Sequence, residues 1–524
     1  MKFLRLLLLL LLPSIVQAQT FTNTYGIWGF TTNAGNSSLT LTSYTGTNTV
    51  VVTPASINGL PVIFMGDDMF WGFTNLSGVT ISSNIIDIED YVFEGCTSLT
   101  NITIPDSVTG IGNYTFSDCS SLVNLTIPNS VTRIGSQDFL NCTSLSAIYV
   151  ETNDPSYTSV NGVLFNKNQT MIVQYPPGKI GNYTIPDGVN SIESGAFYGS
   201  AALTGVTIPN SFTSVAEEDF EWCIGLTNVI IGNSVTNVGT YAFADCENLA
   251  GVIFGTNVAS IGNDAFLYCH SLTSLTIPGS VTSIGEEAFN SCLGLTNIMI
   301  PDGVTNIGQA AFDICTSLTA ITVATNNPSY SSVDGVLFDK NQTTLIQYPI
   351  AKPGSKYTIG DSVTSIGYGA FDYCASLASV TIGNNVTNIG DNAFEYCYGL
   401  TSVYFQGNVP ASVGSGVFNT FNGYDHATVY YLPGTTGWSS LLGGLPTELW
   451  NPQISGSGIS VQANQFGFNI TGPSNLVIVV EACTNLANGC WSPISTITLV
   501  NGSVYISDPA WASYPGRFYR LTTP

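Results

Sequence analysis

A phenylalanine returns every 23 residues along most of this chain, at Phe70, Phe93, Phe116 and Phe139, then from Phe197 through Phe220, Phe243, Phe266 and Phe289 to Phe312, and again at Phe371 and Phe394. A fixed period of this length marks a solenoid in which one small unit is copied and stacked. The residues around each Phe are copied too, as in Leu272-Thr-Ser-Leu-Thr-Ile-Pro278 followed by Val281, Ile284, Gly285, Ala288, Phe289 and Cys292. One copy holds too few apolar side chains to make a core alone, so each coil must bury them against the coils on either side.

Within a coil the residues separate by face. In Leu99-Thr-Asn-Ile-Thr-Ile-Pro105, Ile102 and Ile104 alternate with Thr103, the period of a strand with one buried face. Pro105 ends that strand because it cannot donate to a ladder. Val108 to Gly112 returns the chain, and Tyr114 to Cys119 is expected to form a short turn or single helical turn that inserts Phe116. Parallel strands from successive coils would line one side of the stack.

The unit L-x-x-[VIL]-x-[IVF]-P-x-x-V-x-x-I-G-x-x-A-F-x-x-C resembles the BspA-type, or Treponema pallidum-type, leucine-rich repeat, over residues 60 to 420. The resemblance implies a β-rich α/β solenoid, a curved array of roughly 14 coils with strands on its concave face. It also implies a surface protein of adhesin-like function with extracellular protein or polysaccharide partners. The family has no shared catalytic residues or cofactor, so neither is expected.

The ends of the chain frame this array. Lys2 and Arg5 precede an unbroken Leu run, and Val16-Gln-Ala18 supplies small residues for cleavage, so residues 1–18 read as an export signal. The apolar run is shorter than the roughly 20 residues that span a bilayer, and no later segment is long and apolar enough. A secreted or cell-surface location follows. Residues 19–60 alternate apolar and Thr/Asn/Gly residues as an N-terminal β cap before a solenoid over 61–432. Gly and Pro mark residues 433–452 as a cap or linker, and short strands over 453–524 suggest a small β-sandwich. A net charge of −24 disfavours nucleic acid and anionic membranes as partners.

The period breaks twice, between Phe139 and Phe197 and between Phe312 and Phe371. Both inserts, near 151–180 and 324–356, carry the same text, so that Thr152 to Pro176 matches Thr325 to Pro349. An apolar run through Phe165, a polar turn at Asn166 to Gln169 and a second run at Met171 to Val173 predict a β-hairpin. Lys167, Lys179, Lys340, Lys352 and Lys356 lie in or beside the inserts. They read either as basic prongs on an acidic body or as charges that keep exposed hairpins in solution.

The repeat cysteines fall in uninterrupted runs of three, five and two, so pairing between adjacent coils would leave two unmatched. They are expected to be buried thiols that act as small apolar fillers. Zinc lacks partners, with only His270 and His426 in the chain. Cys483 and Cys490 stand outside the repeats at short separation, and a disulfide between them is expected.

Candidate binding residues come from the outward position of each strand. Threonine is the default there, whereas Ile230, Ile253 and Met299 replace it, as do Tyr149 and Tyr404. Exposed apolar groups on such a face are what a protein ligand needs, because burying them drives association. Two rival classes remain. A polysaccharide-acting enzyme would use carboxylates such as Glu217 and Asp219 or Glu286 and Glu287, which sit in turns that most coils fill with varied polar residues. A structural matrix protein would use the uncharged face for self-association.

Overall fold

A computed structural model describes residues 19–419, 427–462, 465–473, 476–486 and 490–523. Residues 1–18, read above as an export signal, lie outside them. The chain divides into two compact units at Val258/Ala259.

In the first unit the cap is a meander, Gln19–Thr22, Ile27–Thr32 and Leu39–Thr45, whose third strand pairs in parallel with Leu60–Met65. Trp28 and Tyr44 of the meander are buried against Phe70, the first of the repeated phenylalanines. From there most coils contribute two strands. The longer ones stack in parallel as Val50–Val52, Gly78–Thr80 and Asn101–Thr103, then as Asn124–Ile127 and Ala147–Val150. After the first insert they resume as Gly181–Thr184, Leu203–Ile208, Asn228–Ile231 and Gly251–Ile253. Two-residue strands such as Asp87–Ile88 and Gly110–Ile111 form the second wall.

The phenylalanines make a column of rings. Phe70, Phe93, Phe116 and Phe139 stack at 5.5, 5.5 and 5.7 Å between centroids. Each is fully buried, and removing one such ring from a close-packed core costs about 3–5 kcal/mol.

Of the two alternatives expected for the segment that carries each Phe, a short turn is the one that forms. Tyr91, Phe93 and Gly95 donate their N–H groups to Asn113, Thr115 and Ser117 of the next coil, while Glu94 and Cys96 donate back within their own turn. Alternate amides therefore point along the stack and into the turn, which a helix cannot do. The backbone meets this demand with left-handed residues two positions before and after the Phe, Tyr91 at φ 61° and Gly95 at φ 72° in one coil, Tyr114 and Asp118 in the next.

The ten repeat cysteines are buried, as expected of small fillers, but they also act as donors. Eight of them, among the described residues, donate Sγ–H to the carbonyl of the Phe one coil back, at 3.0 to 3.3 Å. Burial pushes these thiols up, Cys96 to about 12, which keeps the proton that the hydrogen bond uses.

The second unit repeats the plan. Its longer strands are Asn297–Ile300 with Ala320–Val323, and then Lys356–Thr358, Ser379–Ile382, Ser402–Phe405 and Thr428–Tyr431 in parallel. Its ring column runs through Phe266, Phe289 and Phe312, and later through Phe371, Phe394 and Phe418. The C-terminal segment forms two antiparallel three-stranded sheets. One joins Gln453–Gln462, Gln465–Thr471 and Ser503–Asp508, and the other Val477–Cys483, Ser492–Thr498 and Phe518–Thr522.

Each insert contains the expected hairpin and adds a third strand ahead of it. Tyr157–Val160, Val163–Asn166 and Met171–Gln174 pair antiparallel, and the third continues the wall by pairing in parallel with Ser191–Ile192. Tyr330–Val333, Val336–Asp339 and Thr344–Gln347 repeat this register. The first turn is Asn161-Gly162 in one copy and Asp334-Gly335 in the other, all four residues at positive φ, as a two-residue hairpin requires. Tyr175 and Tyr348 then take the place of the absent Phe, stacking on Phe197 and Phe371 at 4.8 and 5.0 Å.

Candidate functional site

In the first unit Thr184, Thr207, Ile230 and Ile253 are register partners on consecutive parallel strands. Alternation turns Val229 and Ile231 into the core and leaves Ile230 43% and Ile253 63% exposed. Neighbouring strands lie about 4.8 Å apart, so the two isoleucines form one apolar patch bordered by threonine. Asn228 and Gly251 stand beside them in the next row outward along the same strands. Tyr149, 51% exposed, lies in register with Thr126. It lines an open groove of about 570 Å³ together with Ser159, Asn161, Gly162 and Lys179 of the first insert.

In the second unit Met299 is 54% exposed and in register with Thr322. Tyr404 behaves differently from the expectation that it would be an exposed binding residue. It is 1% exposed, its ring stacks on Tyr430 at 5.3 Å, and its hydroxyl donates to Val477 O at 3.1 Å. Both tyrosines share a core with Phe468, Ile478, Val480 and Leu499, so the C-terminal sheets cover the strand face here. Strand alternation marks which side a residue faces but carries no signal that a later segment folds over it.

The insert lysines cap carbonyls of their own loops. Lys167 Nζ donates to Asp154 O and Lys179 Nζ to Asn161 O. Lys340 Nζ donates to Asn327 O and Lys352 Nζ to Asp334 O. Lys167 and Lys340 thereby hold the start of each insert to its turn, a tethering role that neither sequence reading contained.

The expected bridge between Cys483 and Cys490 is not formed. Cys483 is buried, and its Sγ donates to Asn485 O at 3.0 Å and accepts from Asn485 N at 3.3 Å. That local turn occupies the sulfur.

Two of the four carboxylates considered for catalysis, Asp219 and Glu287, are occupied locally as well. Burial pushes the Asp219 carboxyl up to about 7, and Asp219 Oδ2 accepts from Ala216 N of its own turn at 2.7 Å. Glu287 Oε2 accepts from Asn290 Nδ2 at 2.9 Å. Among the described residues no group of three or more His, Cys, Asp and Glu is placed to hold a metal ion, and no helix is long and apolar enough to cross a membrane.

Sequence reasoning missed the aromatic residues on the turn side. Trp71 and Trp222 are 60% and 45% exposed, and Tyr91 stacks on Tyr114 at 5.3 Å. Their signal was available as aromatics recurring beside the Phe period.

A family model described as a BspA type leucine rich repeat region (6 copies) matches residues 64–176, 174–296, 241–352 and 351–431. Among solved structures, the chain is similar to a leucine-rich repeat protein from Bacteroides ovatus, at 21% identity over 79% of this chain and 94% of that one, TM-score 0.44. It is similar to the pneumococcal vaccine antigen PcpA at 18% identity over 79% and 94%, TM-score 0.35. It is also similar to the T. pallidum leucine rich repeat protein at 26% identity over 42% and 87%, TM-score 0.28. Among curated proteins there is no match.

Proposed function

The chain belongs to the BspA-type leucine-rich-repeat family, and on that premise we propose that it is a secreted or cell-surface protein that binds an extracellular protein ligand through its strand-lined face. The observation that supports this reading is the pairing of Ile230 and Ile253 in register on a face otherwise set with threonine. Full burial of an isoleucine is worth about 1.5–3 kcal/mol, and two that are half or more exposed leave a large part of that for a partner to gain. The threonines around them hydrogen-bond without net charge, as the rim of a protein interface does. Tyr149 and Met299 are further exposed positions on the same kind of face, whereas Tyr404 is already covered.

The test is surface plasmon resonance of purified full-length protein against a panel of purified extracellular-matrix proteins. A saturable interaction that weakens at least about tenfold in Ile230→Asp plus Ile253→Asp supports the reading. Both positions are exposed, so the variant should keep the wild-type melting temperature. If every matrix protein binds the variant as tightly as the wild type, the patch is not the site.

A further inference from the structure

The two inserts are copies in sequence and in register, yet the space beneath them differs. Under the second lies a cavity of about 140 Å³ whose walls include Ile307, Phe312, Leu337 and Ile346, with Gln347 inside and Tyr368 at its edge. Gln347 is 5% exposed and its Nε2 has no hydrogen-bond partner. In the first copy the matching amide, Gln174 Nε2, donates to Tyr175 O at 2.8 Å and Ala196 O at 2.9 Å.

Three substitutions between the copies account for the space. Where the first copy has Gln137 and Asp138, the second has Ala310 and Ala311. Asp138 is buried and accepts from Thr115 N and Gly135 N, so its carboxylate fills its turn. Gln137 Cγ lies 2.7 Å from where a Cβ on Gly195 would stand, whereas the matching Gly369 has nothing nearer than Asp372 Cβ at 3.8 Å. At the edge, Tyr368, 40% exposed, replaces Ser194.

The backbone along the cavity wall also departs from the pattern of the preceding coil. One coil earlier, Glu287 N and Phe289 N donate to Gln309 O and Ala311 O of the coil that follows. For Ala310 and Phe312 the carbonyls at that spacing belong to Ser332 and Asp334, which the insert carries into its hairpin instead. An unpartnered buried donor costs about 1–3 kcal/mol, so the site favours a ligand that brings an acceptor. The Gln347 donor is a neutral amide, the lining residues include no cation, and the chain carries a net charge of −24, all of which oppose an anion. The apolar walls suit a small alkyl group, and the Tyr368 ring suits the flat face of a sugar. Cavities of about 150 Å³ take up molecules the size of benzene.

We propose that this cavity binds the acetamido group of an N-acetylated sugar, with the carbonyl oxygen accepting from Gln347 Nε2, the methyl against Leu337 and Ile346, and the ring on Tyr368. The pocket is separate from the Ile230 and Ile253 patch, so either reading can fail without the other.

Isothermal titration of the full-length protein with N,N′-diacetylchitobiose, with cellobiose as the same kind of disaccharide lacking acetamido groups, tests it. Saturable binding of the first, at least about tenfold tighter than the second, is expected. Ala311→Asp, which restores the filling group of the first copy, should abolish the difference, and Gln347→Leu, which removes a polar orphan and should fold at least as well, should weaken binding about tenfold. No saturable binding, as when the cavity holds water only, would overturn the proposal. So would equal binding of cellobiose, or wild-type binding in Gln347→Leu. A peptide bearing N-acetyl-lysine that binds more tightly than the disaccharide would overturn the assignment to a glycan.

Discussion

The inserts at 152–176 and 325–349 build the same three strands with the same bulge, yet they satisfy their buried polar groups differently. Asn327 is fully buried, with Oδ1 accepting from Ser329 N and Tyr330 N and Nδ2 donating to Pro301 O and Val304 O. Its counterpart Asp154 accepts from Ser156 N and Tyr157 N in the same way, but its Oδ2 is buried without a partner. The glutamines reverse the balance, since Gln174 is paired and Gln347 is not. Backbone conformation is thus set by the positive-φ turn and the Tyr that replaces Phe, while each copy settles its interior hydrogen bonds separately.

The largest expected effect is on pH dependence, which the copies owe to different buried carboxylates, Asp138 in the first, raised well above the usual carboxylate range by burial, and a pair in the second. Asp313 and Asp372, both buried, meet where the second insert breaks the stack, at positions that Leu140 and Tyr198 hold in the first. Burial, and for Asp372 also the neighbouring carboxylate, raises both above the ordinary range. Above the reference value of 3.8 the unfolded chain releases protons that the folded pair keeps, so stability falls as pH rises. The slope is at most about 1.4 kcal/mol per pH unit for each retained proton. Denaturant titrations between pH 4 and 8 should show this decline, and Asp372→Asn should make it shallower, with the buried Asp138 and Asp219 carboxyls accounting for the remainder. An unchanged slope in that variant would remove the pair from the account.

Next in size is Asn327→Asp, which strips two donors from buried carbonyls and faces them with a carboxylate, at a cost of about 3 kcal/mol or more. Gln174→Leu should cost about 1–2 kcal/mol by removing the donor to Tyr175 O, while Ala196 O keeps its bond from Tyr175 N, whereas Gln347→Leu should be neutral or stabilising by up to about 1 kcal/mol. Equal losses for the two glutamine variants in urea unfolding would mean that the copies do not differ as described. A similarly small effect is expected of Asp154→Asn, which offers the missing donors and should raise stability by up to about 1 kcal/mol.

Much of the fold was legible because its period is carried by residues with a single job. A Phe every 23 residues can only stack on itself, and Ile alternating with Thr can only be a half-buried strand. The exposure of Tyr149, Ile230, Ile253 and Met299 followed from that alternation. Three features depended on contacts that sequence spacing does not carry. Tyr404 is covered by sheets more than 60 residues later in the chain, through the bond to Val477. The segment around each Phe was open to a short turn or a helical turn, and what decides for the turn is that alternate amides are claimed by the next coil. The first insert strand, Tyr157–Val160, has intermediate burial throughout and no clear alternation, although Asn161-Gly162 after it was a readable hairpin turn.

The most direct test of the proposed strand-face function is photo-crosslinking with a benzophenone side chain placed at Ile253 and, separately, at Thr103, using whichever matrix protein gives a saturable interaction. Both positions are exposed on outward strand faces, but only the first belongs to the apolar patch. Crosslinking at Ile253 well above that at Thr103 is the predicted result. Equal yields at the two positions, or crosslinking at Thr103 alone, would contradict the account.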